Sequence, residues 1–533
     1  MSSPTKAAVE TTSRPIWPLR TAAGVLAVAG LALLLRWPIA SIPLERDEGE
    51  YGYIARRWLD GEVPYKSAFD QKPPGVFAAY AIILSVFGAS PEAIRWGAQI
   101  YTLCTLGLIY LAGRRLFGAI AGLTAVVLAA YMTADRCVLG NAANTELFMI
   151  LPLTAGFLAA DRATDRGSAG WAAAAGFCGA VALLFKQVAL SNVALYGLMQ
   201  LGATRHRFRL LAVFVLATVA VLAGVAVYFA AAGVRDEFLD CVLIHNLGYA
   251  NQVAWYDYPR EFLKTFQYIA LQWWPILLLA AAGGLPRARA TTVWGPRWLA
   301  GTWLLASCAG VAVGGYFRAH YFVQLIPPLA VLAGRGASIV AKKLLPSRPE
   351  VASYAVALVA IAYGILVMPE YWLTGTPAEK SRLLYDIAPF PEAVPVGDYL
   401  RRQTVLGDSI FVCGNEPEIY YYSGRRTACR YIFLYPLLTP ATDAGDRQHA
   451  ALAELMGNRP RFVVVHRDVS PPVGGSPPKD FEVAVKALLD REYRLVGGID
   501  PEDTTVRMVD LAGSVADPLR PEWTLTVWQR KER

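Results

Sequence analysis

Apolar runs long enough to cross a lipid bilayer recur along this 533-residue chain up to about residue 368 and then stop. A spanning helix needs about 20 predominantly apolar residues, and shorter runs must tilt little. The runs predict eleven spans, at 18–40, 93–113, 118–134, 146–160, 169–185, 188–202, 210–232, 266–284, 298–314, 323–334 and 351–368. The chain is 55% apolar and only 17% charged, whereas soluble domains carry about 25% charged residues. An ordinary soluble enzyme is therefore excluded.

The basic residues lie in short clusters between the apolar runs, as the positive-inside rule requires of a polytopic membrane protein. With the N-terminus taken as cytoplasmic, the loops on that side hold 17 Lys and Arg in 71 residues, and the opposite loops hold 11 in 106. The cytoplasmic loops are then 1–20, 113–117, 161–168, 203–210, 285–298 and 335–350. Eleven spans place the C-terminal portion outside the cytoplasm. The same clustering argues against a nucleic-acid partner, despite the net charge of +8.

Residues 73–88 are apolar but too short for an ordinary span. If this segment crossed the bilayer, every later basic cluster would face outward. The requirement that the basic loops stay on the cytoplasmic side therefore favours a helix that lies at the outer interface without crossing. The first run ends at Leu35-Arg36-Trp37-Pro38 without a small-residue cleavage site, which predicts an uncleaved first span rather than a secretory signal.

The sequence pattern changes after the last apolar run. Short β-branched or aromatic runs (409–413, 461–466, 493–496 and 524–528) alternate with helix-like patterns (394–403 and 480–491), with Ser476-Pro477-Pro478 as a loop. The predicted organisation is a cytoplasmic tail at 1–16, a membrane body at 17–370 and a small extracytoplasmic α/β domain at 371–533. Cys413 and Cys429 both lie in this last domain. The sequence does not favour a disulfide between them over two free thiols.

Acidic residues concentrate in the first outer loop, 41–92. It holds Glu45, Asp47, Glu48, Glu50, Asp60, Glu62, Asp70 and Glu92, while the six cytoplasmic loops together hold four acids. Arg46-Asp47-Glu48-Gly49-Glu50-Tyr51 opens a helix-like stretch that reaches Leu59. Acids in the first turn also fit a plain amphipathic helix on the membrane surface. The nearby Asp70-Gln71-Lys72-Pro73-Pro74-Gly75 weakens that alternative, because it adds a fixed cation to an acid/base candidate at one membrane surface.

These motifs carry a resemblance. A first span, an Asp-Glu pair, a Lys-Pro-Pro, many further spans and a C-terminal soluble domain resemble the dolichyl-phosphate-mannose protein mannosyltransferase superfamily. Its members are C-type glycosyltransferases, and its bacterial branch includes the aminoarabinose transferases. Asp47-Glu48 matches the catalytic acidic motif, and Lys72-Pro73-Pro74 matches the Glu-Lys-Pro-Pro of that branch. Gln71 replaces its glutamate, which puts any metal site built on that glutamate in doubt.

The resemblance implies roles for the first-loop residues. Transfer to a hydroxyl needs a general base, and positive charge to stabilise the departing lipid phosphate. Asp47 is the expected base and Glu48 its neighbour, which would orient the base or bind acceptor hydroxyls. Lys72 is the expected phosphate ligand, with Arg318 and His320 on the same surface. Arg318 is equally well explained as a residue snorkelling at an aromatic belt.

Further predicted substrate-binding residues are Asp70, Tyr51 and Arg57 in the first outer loop, Glu146 at the start of a span, and His245 in the 233–265 loop. Glu146 is somewhat better explained as the first-turn acid of a helix capped by Asn144 or Thr145. A lone histidine such as His245 is more often a structural hydrogen-bonding residue than a ligand. Lys186, between two apolar runs, is expected to snorkel outward, although a lipid phosphate lies within its reach.

The resulting expectation is an enzyme of the cell's inner membrane. It would transfer a sugar from a polyprenyl-phosphate donor to a glycan, lipid or protein hydroxyl at the extracytoplasmic face. The outer loops contain no Asp-x-Asp motif, which agrees with a lipid-linked donor rather than a nucleotide sugar. No metal ligands are predicted; a divalent cation remains possible as a cofactor. The alternative is a transporter or flippase of lipid-linked sugars, but such proteins keep ionisable residues near the bilayer midplane, and here they collect at one surface.

Overall fold

The computed structural model describes most of the chain: residues 17–250, 252–285, 295–438, 444–467, 480–501, 505–508 and 523–532. Two predicted features, the tail at 1–16 and the loop at 476–478, lie outside these residues.

Residues 17–367 fold into helices with short connections, as the apolar periodicity predicts. Within the described residues these helices are α1 (Trp17–Arg36), α2 (Arg46–Leu59), α3 (Gly75–Phe87), α4 (Pro91–Phe117), α5 (Ala119–Met132), α6 (Thr145–Arg166), α7 (Ala169–Phe185), α8 (Leu190–Leu201), α9 (Arg207–Ala231), α10 (Arg235–Leu239), α11 (His245–Tyr249), α12 (Tyr258–Gly284), α13 (Pro296–Ala312), α14 (Ile326–Leu344) and α15 (Pro349–Val367).

In the described part of the chain, five helical segments are long and apolar enough to cross a membrane: Thr145–Arg166, Arg207–Ala231, Trp255–Gly284, Ala319–Leu344 and Pro349–Val367. Shorter apolar helices lie at Leu26–Ile39, Ala119–Met132 and Ala169–Phe185. The chain is a multi-pass membrane protein. The number of eleven spans stays a prediction, because several of the apolar helices, such as α8 with 12 residues, are shorter than a bilayer is thick.

The apolar segment at 73–88 forms α3, which meets α4 at a bend of 111°. Ser90 caps α4 by accepting a hydrogen bond from the backbone N–H of Ala93 at 3.1 Å. A bend this sharp means that α3 does not continue the direction of α4. Its location at the outer interface stays a prediction.

The C-terminal part forms a mixed sheet with helices, as the alternating pattern predicts. The helices are α16 (Pro377–Tyr385), α17 (Phe390–Gln403), α18 (Glu418–Ser423), α19 (Tyr435–Leu438), α20 (Ala444–Asn458) and α21 (Asp480–Glu492). The strands are β1 (Ser409–Cys413), β2 (Arg426–Thr427), β3 (Phe462–His466), β4 (Tyr493–Ile499), β5 (Arg507–Met508) and β6 (Leu525–Arg530), in the order β2-β1-β3-β6-β4-β5. β1 pairs in parallel with β2 and β3, and the other neighbours are antiparallel. Cys413 and Cys429 are both buried free thiols.

The C-terminal helices and strands between Pro377 and Arg530 are called the sheet domain below. The sheet domain packs directly on the first outer loop, 41–92, of the membrane body. A Cβ added at Gly49 of α2 would lie 2.3 Å from the Cα of Glu418, so only glycine permits α2 and α18 to approach this closely. The Tyr422 hydroxyl accepts the backbone N–H of Leu44 at 2.8 Å, and the Tyr53 hydroxyl accepts that of Thr427 at 3.0 Å. The segment 41–92 is thereby held between the helices and the sheet domain.

Candidate active site

The acid-rich helix α2 runs from Arg46 to Leu59, as predicted. It begins with a capping box in which the Glu45 side chain accepts the Glu48 backbone N–H and the Glu48 side chain accepts that of Glu45. Most of the helix is buried, which a surface-lying amphipathic helix would not be. The first turn of α2 is therefore a rigid part of the core, and it sets the position of Asp47.

Asp47 and Lys72 form the centre of the site. The Lys72 Nζ lies 4.0 Å from the Asp47 Oδ2, and both side chains remain partly exposed, at 15% and 24%. The hydroxyl of Tyr51, one turn further along α2, donates to the same Asp47 oxygen at 3.2 Å. The Lys72 Nζ also lies 5.5 Å from the centre of the Tyr51 ring. A carboxylate and an ammonium thus share one accessible place, as the sequence predicts.

The Lys72 backbone is held on both sides. The Asp70 carboxylate accepts the backbone N–H of Lys72 at 2.8 Å, and the hydroxyl of Tyr65 donates to its carbonyl oxygen at 2.8 Å. Three residues on, a Cβ at Gly75 would lie 2.5 Å from the carbonyl oxygen of Leu184. This close approach brings the start of α3 against the end of α7, next to Lys186. Asp70, only 1% exposed, positions Lys72.

The charges shift the titration of this pair in opposite directions. Burial by itself raises the pKa of the Asp47 carboxyl, but the charge of Lys72, followed by His320, Arg46 and Lys186, outweighs it and holds this pKa below its ordinary value. Burial by itself lowers the pKa of the Lys72 ammonium, but Tyr51, Asp47 and the acids Asp70 and Glu50 together raise it well above its ordinary value. At neutral pH Asp47 is therefore a carboxylate and Lys72 is a cation.

A second cluster of charged residues, Glu146, Lys186 and His320, lies beside the Asp47–Lys72 pair. Lys186 makes an ion pair with the Glu146 Oε1, and the His320 Nε2 lies 4.0 Å from the same oxygen. The Lys186 Nζ also lies 3.7 Å from the centre of the Tyr321 ring. The neighbouring Thr145 hydroxyl shares a hydrogen bond of 3.2 Å with the Tyr51 hydroxyl, which joins the two clusters. Glu146 and His320 are thus brought to the site, as predicted, and Lys186 points into it rather than snorkelling away.

Glu48 is used differently from Asp47. It is fully buried, and its carboxylate binds the Arg95 Nη2 at 2.6 Å and the backbone N–H of Ala143 at 2.8 Å. These contacts fasten the first turn of α2 to α4 and to the segment before α6. The predicted contact of Glu48 with acceptor hydroxyls is therefore not available in this arrangement, because no surface of the carboxylate is exposed.

Two predicted substrate-binding residues lie elsewhere. Arg57 is ten residues along α2 from Asp47, about 15 Å, in ion pairs with Asp60 and Glu62. The His245 Nδ1 lies 3.2 Å from the Nη1 of Arg447 in the sheet domain, and its ring packs edge-on against Phe69. The structure does not bring Arg57 to the site, and it gives His245 a contact between the 233–265 segment and the sheet domain.

Arg318 lies at the exposed edge of the site. Its guanidinium is 5.8 Å from the centre of the Tyr316 ring, and it directly precedes the 3₁₀ turn Ala319–Leu325 that carries His320. This geometry suits either a phosphate contact or the aromatic-belt alternative.

The sequence prediction missed the supporting residues Glu50, Arg95 and Thr145. Glu50 is 2% exposed, and burial, followed by the charge of Asp70, raises its pKa well above the ordinary value. Its spacing from Asp47, one turn of helix, was the available signal.

Among the described residues, no group of three His, Cys, Asp or Glu side chains is arranged to hold a metal ion. The backbone carbonyl of Gln71 accepts a hydrogen bond from Asn246 at 2.7 Å. Cation dependence stays a prediction.

Fold and site together define a class: a multi-pass membrane protein with a carboxylate–lysine pair between its helices and a C-terminal sheet domain. Residues 71–229 match the model of the dolichyl-phosphate-mannose-protein mannosyltransferase family. The resemblance to this family is thereby confirmed; the matched residues begin at Gln71, so they include the Lys72 motif and not Asp47. A search of curated proteins finds no match.

Two solved structures share the fold over nearly the whole chain. The crystal structure of ArnT from Cupriavidus metallidurans bound to undecaprenyl phosphate matches with a TM-score of 0.57 and 17% identity, over 97% of this chain and 98% of that one. The apo state of the same protein matches with a TM-score of 0.55 and 17% identity, over 96% and 97%. The chain therefore has the fold of ArnT, including its C-terminal part.

Proposed function

We propose that this protein is an integral-membrane glycosyltransferase. It transfers a sugar from a polyprenyl phosphate to a hydroxyl acceptor at the extracytoplasmic face of the inner membrane. The observation that supports this most is the Asp47–Lys72 pair: a carboxylate held ionised and a cation, 4.0 Å apart and both accessible. The family match over 71–229 and the fold shared with an ArnT that binds undecaprenyl phosphate support the same donor class.

The chemistry divides between the two residues. The Asp47 carboxylate takes the proton of the acceptor hydroxyl while the oxygen of that hydroxyl bonds to the anomeric carbon of the donor sugar. The bond between that carbon and the phosphate oxygen breaks, and its electron pair leaves with the polyprenyl phosphate. Lys72 stabilises the negative charge of the departing phosphate, and Arg318 at the edge adds a second cation. Tyr51, by donating to Asp47, keeps the carboxylate oriented toward the accessible side.

The second cluster suits the recognition of the sugar or acceptor. The Glu146 Oε2 is buried and has no hydrogen-bond partner among the described residues, while Lys186 and His320 lie on the other oxygen. Glu146 is itself only 1% exposed, so a sugar hydroxyl meets Lys186 and His320, whose side chains are 11% and 18% exposed, and Glu146 holds these two in place. Glu48, through Arg95, serves as a positioning residue that fixes the helix under Asp47.

A transporter or flippase of lipid-linked sugars is the second candidate. An assay in detergent, where no membrane separates two compartments, distinguishes it from a glycosyltransferase. The purified protein in detergent is given undecaprenyl-phosphate-linked pentoses and hexoses with candidate glycan, lipid and peptide acceptors. Release of undecaprenyl phosphate together with glycosylated acceptor is expected, since transfer needs no second compartment. Binding of these donors with no product, alongside their translocation in vesicles, would instead support the transporter.

A further inference from the structure

An apolar groove lies on the membrane body far from the candidate active site. Its volume is about 550 Å³, and all of its lining residues are uncharged: Trp274, Pro275, Leu278, Leu279, Leu344, Leu345, Val351, Ala352, Ala355, Val356, Val359 and Ala360. They belong to α12, to the end of α14 and to α15. Trp274, Leu278 and Val359 are exposed, at 47%, 62% and 69%. The groove therefore opens outward from helices that are apolar enough to cross a membrane.

The groove belongs to the opposite end of the helical body from Asp47. Helix α14 begins at Ile326, directly after the turn that carries His320, and reaches the groove at Leu344. Eighteen residues of helix span about 27 Å. A lipid whose phosphate lies on Lys72 thus has its head group at the other end of the molecule from this groove.

Basic residues flank the lining residues of the groove along the chain. Lys342 and Lys343 close α14 immediately before the lining residue Leu344, and Arg348 precedes α15. All three are exposed, and within the part of the chain that the structure describes none of them makes an ion pair. Glu350 is the one acid in the stretch 335–350. The turn that joins α14 to α15 therefore carries a net positive charge next to the lining residues Leu344, Leu345 and Val351.

We infer that the groove binds an acyl chain of an anionic glycerophospholipid, whose phosphate lies against Lys342, Lys343 and Arg348. The apolar wall alone would accept the chain of any lipid, because hydrocarbon in the bilayer is as apolar as the groove. Selection must then come from the head group. Clusters of Lys and Arg beside a membrane helix attract anionic lipids, and basic pockets between such helices hold their head groups.

The test uses the full-length protein in phosphatidylcholine vesicles with a trace of phosphatidylglycerol that carries a photoreactive group in its acyl chain. Labelled peptides are mapped by mass spectrometry. We expect labels on α12 and α15, at several-fold the yield of an equally photoreactive phosphatidylcholine. Unlabelled phosphatidylglycerol should compete, and undecaprenyl phosphate should compete less well.

Three variants separate charge from shape. Lys342→Gln with Lys343→Gln should reduce phosphatidylglycerol labelling about 25-fold, since each of the two basic residues near a lipid surface contributes a factor of about five. Ala355→Trp should fill the groove and reduce labelling with both probes. Arg207→Gln with Arg209→Gln removes a similar basic pair at the start of another exposed helix, α9, and should change nothing. Unchanged circular dichroism and thermal unfolding establish that each variant is folded.

Several outcomes would overturn the inference. They are equal labelling of α12 and α15 by both probes, undiminished labelling of the lysine variant, and an equal loss in the arginine control. Stronger competition by undecaprenyl phosphate than by phosphatidylglycerol would assign the groove to a polyprenyl chain instead. None of these results depends on whether the protein is a glycosyltransferase.

Discussion

The Nζ of Lys72 lies 4.0 Å from the Oδ2 of Asp47, and the hydroxyl of Tyr51 donates to that same oxygen at 3.2 Å. The ammonium keeps the carboxyl ionised even though burial opposes the charge. The proposed base and the proposed phosphate ligand thus lie close enough together to meet one sugar donor, and each can be removed separately.

Asp47→Asn should reduce turnover about 10²–10⁴-fold while donor binding is largely kept, because the amide preserves shape but cannot accept the proton. Donor transfer by the purified variant, beside a donor-binding assay, measures both effects. Asp60→Asn, at the exposed end of the same helix, is the matched control and should stay active. Near-normal turnover of Asp47→Asn would remove the proposed base.

Lys72→Ala should weaken binding of undecaprenyl phosphate at least tenfold, since a charge-assisted hydrogen bond contributes about 1.5–3 kcal/mol. Lys66→Ala removes an exposed lysine of the same loop and should have no effect. Equal affinities of the two variants, both folded, would mean that Lys72 is not a phosphate ligand.

The pH profile of kcat should also respond to Lys72. Its charge is the main influence that lowers the pKa of Asp47, whereas burial raises that pKa. The activity of the wild-type protein should therefore fall only at pH values below the ordinary carboxyl range. Lys72→Met removes this influence while burial remains, so the acid limb of the residual activity should move to higher pH. An unmoved or lowered limb would show that Asp47 is not the group that titrates.

Gly49→Ala should separate the sheet domain from α2, because the added Cβ would lie 2.3 Å from the backbone of Glu418. We expect a clear drop in thermal stability together with a loss of transfer activity. Gly107→Ala, inside α4 with nothing within 4 Å of the new Cβ, is the control and should be neutral or stabilising by up to about 1 kcal/mol. If both variants unfold at the wild-type temperature, the tight contact is not needed.

Glu418 should make the stability of the protein depend on pH. Burial, followed by the charge of Glu416, raises the pKa of Glu418 well above its ordinary value, and neither carboxylate oxygen has a hydrogen-bond partner among the described residues. The folded state keeps the proton, whereas the unfolded state releases it near pH 4.5. This contribution is therefore complete below that pH and is lost as the pH rises toward the folded-state pKa.

Glu418→Gln removes the loss of folding stability that Glu418 causes as the pH rises. The variant should therefore raise the thermal unfolding temperature more at pH 8 than at pH 5. Glu482→Gln, a partly exposed glutamate of α21, should shift both temperatures little. A gain that is the same at both pH values would contradict the assigned titration.

A reporter that is active only in the cytoplasm, fused after Arg533, should remain silent. Eleven spans with a cytoplasmic N-terminus put the sheet domain outside, and the asymmetry of Lys and Arg supports that parity. The same reporter inserted at 203–206, within the predicted cytoplasmic loop 203–210 and before α9, should be active. Strong activity at Arg533 would refute the eleven-span parity.

The sequence alone determined the features that depend on neighbouring residues. The helix Arg46–Leu59, the strand Ser409–Cys413 and the membrane character of the first 370 residues follow from periodicity and composition, which act within a few turns of chain. The nearness of Asp47 to Lys72 could also be predicted, because the two motifs share one loop and a family resemblance.

Only the tertiary structure decided how distant side chains are used. Adjacent acids Asp47 and Glu48 received different roles because α4 presents Arg95, 47 residues away from Glu48, to one of them alone. Glu146 met Lys186 and His320 through the packing of three separate helix ends. Glycine at position 49 was needed because α18, some 370 residues later, packs on α2. Such contacts depend on the shapes of whole elements, and no local pattern encodes them.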